Sequence, residues 1–118
     1  MKIFFSYSMN DESRMRKVIN ELKSKGIVGK SDEIIYTSAI VDPGSSIRQE
    51  VRKAIERSSK VLVFWSDAGA ESDWVNYETG MAEALGKPIL FIVPKSEASV
   101  LPRELEHAQI VELENVNL

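Results

Sequence analysis

Apolar positions along the chain alternate between two periods. Short unbroken apolar runs, too brief for a helix, are separated by longer stretches with apolar residues at i, i+3, i+4 and i+7. KIFFSY (Lys2 to Tyr7) is the first short run and predicts a strand. Asp11 to Lys25 follows in helical period, with Met15, Val18, Ile19 and Leu22 on one face; Asn10 or Asp11 is a candidate cap and Gly26 a stop. EIIYT (Glu33 to Thr37) predicts a second strand. VDPGSS (Val41 to Ser46) reads as a loop, with Ser45 or Ser46 placed to cap a helix whose stripe is Ile47, Val51, Ala54 and Ile55. KVLVFWS (Lys60 to Ser66) is apolar throughout, as a central parallel strand is. A helix capped by Ser72 or Asp73 comes next, then PILFIV (Pro88 to Val93), a short helix over LPRELEHA (Leu101 to Ala108), and a last strand, QIVEL (Gln109 to Leu113).

Strands alternating with helices across short loops imply right-handed crossovers and a parallel sheet covered on both faces. The expectation is one α/β domain over residues 1–118: a flavodoxin-like three-layer sandwich with five strands in the order 2-1-3-4-5. Such sheets take ligands at the carboxyl ends of the strands, where the order reverses between strands one and three. Ser6, Tyr7 and Ser8 end the first strand; Trp65, Ser66 and Asp67 end the third.

One residue breaks the pattern. In the helix after strand three, Trp74, Met81, Ala82 and Leu85 share a face by helical spacing, and Glu78 falls on that face too. A carboxylate on an apolar face costs free energy unless something needs it. Its place near the mouth of the crevice offers a ligand as the reason. The structural alternatives are a side chain that snorkels to solvent at the rim or pairs with a lysine. Trp74 reads equally as a core residue or a ligand wall. Gly80, inside the same helix, fits close packing on the sheet as well as ligand access. Arg48, Arg52, Lys53 and Arg57 alternate with Glu50 and Glu56 as a solvated face does.

Composition removes several alternatives. The chain has 118 residues, no cysteine and one histidine, His107, which reads as structural. Disulfides, thiolate metal sites and a cysteine nucleophile are excluded, and a Ser-His-Asp triad or multi-histidine metal centre is disfavoured. No apolar run approaches the ~18 residues of a membrane span, and no signal peptide is evident, which suggests a cytoplasmic protein. A net charge of −3 disfavours a general nucleic-acid surface.

The segments FFSYS, DPGSSIRQEVRKAIERSSKVLVFWS and ESDWVNYE, in that order and spacing, resemble the bacterial TIR (Toll/interleukin-1 receptor homology) domain. The resemblance covers nearly the whole chain and implies the same flavodoxin-like fold. It also implies a function: cleavage of NAD+ at the nicotinamide–ribose bond, giving ADP-ribose or a cyclic ADP-ribose signal in prokaryotic (anti-phage) immunity. In enzymatic members a W-x-x-x-E arrangement carries the catalytic glutamate, which falls here on Trp74 and Glu78. The family's loop after strand two, used for nucleotide access and assembly, falls on Asp42, Pro43, Gly44 and Ser45. The segment bordering the nucleotide falls on Ser6 to Asn10. Many members place an acidic residue at the end of strand two, where this chain has Thr37. The implied partners are NAD+ as substrate and other TIR domains, with no separate cofactor and no metal. A TIR domain that only assembles is the non-catalytic alternative. YETGMAEALGKPILFIV also looks like the nucleoside 2-deoxyribosyltransferases, where a glutamate on this helix attacks a deoxyribose.

The chemistry needs few groups. Nicotinamide in NAD+ is already cationic and leaves neutral, so no general acid is required; glycosidases with poorer leaving groups use two carboxylates. One carboxylate can stabilise the oxocarbenium-like transition state, hold ribose hydroxyls or bond to the anomeric carbon. Trp74 is placed to stack on or wall the nicotinamide riboside. Ser6, Ser8 and Ser66 are placed to donate to phosphate or ribose oxygens, and the amino end of the helix after strand three favours phosphate.

Overall fold

A computed structural model of the chain describes residues 1–36, 46–97 and 109–114. Thr37, the loop carrying Asp42, Pro43, Gly44 and Ser45, and the short helix expected over Leu101 to Ala108, with His107, lie outside the described residues. Five strands form the sheet: β1 (Lys2–Ser6), β2 (Glu33–Tyr36), β3 (Lys60–Phe64), β4 (Ile89–Pro94) and β5 (Gln109–Leu113). They are parallel throughout, in the order β2-β1-β3-β4-β5. This is the flavodoxin-like arrangement that the alternation implies. The helices are α1 (Met15–Ser24), α2 (Ile47–Arg57), α3 (Asp67–Glu71) and α4 (Asp73–Ala84).

Period-two alternation divides the strand residues between two cores. Ile3, Phe5, Leu62, Phe64, Ile92 and Leu113 pack on one face with Met15, Val18 and Leu22 of α1. Phe4, Val61, Val63, Ile89 and Phe91 pack on the other with Val51 and Ile55 of α2 and Val75 and Ala82 of α4. Both faces are covered, which is why the strands read as continuous apolar runs rather than as alternating ones.

Three local expectations need correction. The first helix does not run unbroken from Asp11: a 3-10 helix spans Met9–Arg14 and α1 begins at Met15. Its cap is Ser8, whose side chain accepts from the Asn10 backbone N–H, so neither Asn10 nor Asp11 plays that part. An extra short helix, α3, precedes α4; its five residues are too few for a periodic signal. The most buried face of α4 is Val75, Glu78, Thr79 and Ala82, with Trp74, Met81 and Leu85 half-buried at its margins. Ser72 caps α4 through the Val75 N–H, whereas Ser46 precedes α2 without a side-chain capping bond. Gly26 ends α1 at φ +74°, a conformation that favours glycine.

Gly80 is exposed, and a Cβ added there would meet nothing within 4 Å. Close packing on the sheet therefore does not explain it. Gly80→Ala should stabilise the fold by about 0.5–1 kcal/mol through helix propensity alone. A rise in the midpoint of denaturant unfolding is the expected reading.

Candidate active site

Ser6 ends β1 on the same side of the sheet as Phe4, facing α4. Its hydroxyl donates to Glu78 Oε1 at 2.8 Å, and both residues have no solvent-exposed surface. Glu78 therefore neither snorkels nor sits on a solvated rim. Seventy-two residues separate the pair in sequence, and the switch between β1 and β3 brings them together. The helix reaches this point because Ser72 caps its first turn and because Val75 and Ala82 anchor it to the core on either side of Glu78.

A second buried polar cluster joins the loops after β1, β3 and β4. Arg14 pairs with Glu97 through two parallel bonds, 2.8 and 2.9 Å long, and with Asp11 at 2.9 Å. Its guanidinium also lies 4.9 Å from the centroid of the Phe64 ring. Asp11, 4% exposed, accepts a very short hydrogen bond from the Ser66 hydroxyl. Ser66 accepts in turn from the Gly69 N–H at 2.9 Å, and Glu97 accepts from the Asp67 N–H at 3.0 Å. Gly69 has no room for a side chain: a Cβ there would come within 2.3 Å of the Phe64 carbonyl oxygen. The clasp ties the segment leading out of β1 to the segment leading into α4, the same two segments that Ser6 and Glu78 join.

Hydrogen bonding to Glu97 foremost, then the charge of Asp11, holds the Arg14 pKa above its ordinary value. The Arg14 bond likewise holds the Glu97 carboxyl below its ordinary value. A carboxyl whose folded pKa is depressed contributes stability above its unfolded pKa and loses it as pH falls through the folded one. Wild type should therefore lose stability on acidification more steeply than Glu97→Gln in the range just below the ordinary carboxylate pKa. Denaturant unfolding midpoints across that range check this; parallel curves would contradict it.

Of the residues marked in the sequence, the structure brings Ser6 to Glu78. Trp74 lies one helical turn before Glu78, and its ring stacks on Tyr77, centroids 5.3 Å apart and 20° between planes. Arg48, in the first turn of α2, carries its guanidinium 5.5 Å from the Tyr77 centroid. Tyr7 belongs to the opposite core, edge-on to Phe5 and Tyr36. Ser8 caps the 3-10 helix, and Ser66 belongs to the clasp. Asp42 and Gly44 lie outside the described residues. The sequence pattern singles out neither Arg14 nor Glu97, and Asp11 only as a candidate cap. The three-residue spacing of Asp11 and Arg14 is a visible signal, but Glu97 lies 83 positions from Arg14 and only the fold joins them. Among the described residues no group of three or more His, Cys, Asp or Glu is placed to hold a metal ion, and no helix is long and apolar enough to cross a membrane.

A family model described as the TIR domain matches residues 3–117. Among solved structures, the Clostridium botulinum CMP N-glycosidase BcmB superposes with a TM-score of 0.64 at 20% identity, covering 99% of this chain and 90% of that one. The TIR domains of the activated Roq1 resistosome, which directly recognises the pathogen effector XopQ, superpose with a TM-score of 0.60 at 22% identity, covering 81% of this chain and 58% of that one. At these identities the likeness is one of fold. No curated protein sequence matches.

Proposed function

The chain belongs to the TIR domain family, and on that premise we propose that it hydrolyses the N-glycosidic bond of a nucleotide, with NAD+ as the substrate and Glu78 as the catalytic carboxylate. The observation that carries this reading is Glu78 itself: a fully buried carboxylate, oriented by Ser6, at the carboxyl end of β1 beside the β1/β3 switch. In the reaction the C1′–N bond breaks, its electron pair leaves with nicotinamide, and the pyridinium becomes a neutral ring. Glu78 stabilises the positive charge that develops on the ribose, in surroundings where a carboxylate acts more strongly than in water. Water then adds to C1′ and releases a proton, giving ADP-ribose; attack by a group of the same molecule in place of water gives a cyclic product. Asp67, Glu71 and Asp73 are exposed, and Asp11 is held by Arg14 and Ser66. A mechanism with one carboxylate and a leaving group that needs no proton suits this set.

With no exposed surface, Glu78 meets a ribose only once the mouth of the crevice opens. We tie that opening to self-association, in keeping with the TIR assembly of the Roq1 resistosome, and place the activity in immune signalling. Concentrated protein is therefore the form to assay. Incubation with NAD+, CMP and deoxynucleosides, followed by mass spectrometry, should give nicotinamide with ADP-ribose or its cyclic form. Cytosine from CMP without nicotinamide from NAD+ would move the substrate to a pyrimidine nucleotide. Base exchange on deoxynucleosides would make the chain a transferase, and inertness to all three would make it an assembly module.

A further inference from the structure

The row of side chains leading away from Glu78 ends in a cation whose place the fold does not explain. Arg48 stands in the first turn of α2, where the helix macrodipole disfavours positive charge. Two of the other α2 cations have acidic partners, Arg52 with Glu56 at 2.9 Å and Lys53 with Glu50 at 3.6 Å, and Arg57 stands in the last turn, where the macrodipole favours positive charge. Among the described residues no carboxylate pairs with Arg48. It rests instead over the Tyr77 ring at 5.5 Å, and Tyr77 stacks on Trp74, one turn of α4 before Glu78. A guanidinium held through a ring keeps its N–H donors available, and its fork matches two phosphate oxygens. The chain as a whole is acidic, at −3, so an anionic substrate requires a local cation to hold it. We propose that Arg48, presented on the Tyr77–Trp74 stack, reads the phosphate of the substrate and makes the site select nucleotides over nucleosides. This rests on the reading that Glu78 acts at the N-glycosidic bond.

Nicotinamide mononucleotide and nicotinamide riboside differ only in the 5′-phosphate and so isolate it. Their affinities are measured calorimetrically on concentrated Glu78→Gln protein, which does not consume them, with Arg48 intact and as Arg48→Ala and Arg48→Lys. With Arg48 present the mononucleotide should bind at least about tenfold more tightly, the range of a charge-assisted contact. Arg48→Ala should bring the ratio near one through loss of mononucleotide binding alone, and Arg48→Lys should keep part of it. Arg48 is exposed, so both variants should unfold as the parent does. An equal preference with and without Arg48, or no preference with Arg48 present, overturns the inference. These ratios are read without turnover. Failure of the glycosidase reading would instead show as wild-type protein that leaves NAD+ intact.

Discussion

Glu78→Gln is expected to lower nicotinamide release from NAD+ by roughly a hundred- to a thousandfold, the scale on which a single preorganised electrostatic contact acts in a transition state. Glutamine keeps the shape of glutamate, and its Oε1 still accepts the Ser6 hydroxyl proton. It lacks the negative charge that opposes the cation developing on the ribose. The substitution therefore separates charge from packing: the variant should fold and unfold cooperatively, while turnover disappears. A variant retaining more than a tenth of wild-type activity would remove Glu78 from the chemistry and leave the Ser6 bond as a packing device.

The second large effect concerns stability. The Arg14 side chain is 12% exposed and the Asp11 side chain 5%, and the pair is joined to Glu97. Arg14→Ala leaves two carboxylates close together with no counter-charge, and removing one partner of a buried ion pair costs about 3–5 kcal/mol. It also removes the contact with Phe64. For a chain of this size that is a fall in melting temperature of roughly 10 °C or more. Arg14→Lys keeps the charge but not the two-pronged bond to Glu97, and should fall between. A shift of a degree or two for Arg14→Ala would mean that the clasp contributes little.

Much of this was legible in the chain because strands and helices carry different periods. The five strands lie where the apolar runs lie, and QIVEL is β5 to the residue. The anomaly at Glu78 was legible for the same reason, since a carboxylate on an apolar stripe is visible without coordinates. The break between the 3-10 helix and α1 was not. Met9–Arg14 offers a helical spacing indistinguishable from the start of an α-helix, and what sets it apart is tertiary: Asp11 turns inward to Ser66 and Arg14. The roles of Ser6 and Ser66 were hidden too. Spacing put both at the crevice, but only the packing of α4 and of the 3-10 helix shows which acceptor each hydroxyl meets. Tyr7 was placed at the right end of the sheet, and the alternation of β1 turns it to the face away from Glu78.

The central claim, that Glu78 is buried beside the switch point for the sake of a ribose, is tested most directly by following nicotinamide release from NAD+ by concentrated wild-type protein beside Glu78→Ala. The account predicts release in step with ADP-ribose or its cyclic form, and none from the variant. Wild-type protein that is folded and concentrated, yet leaves NAD+ intact, would contradict it.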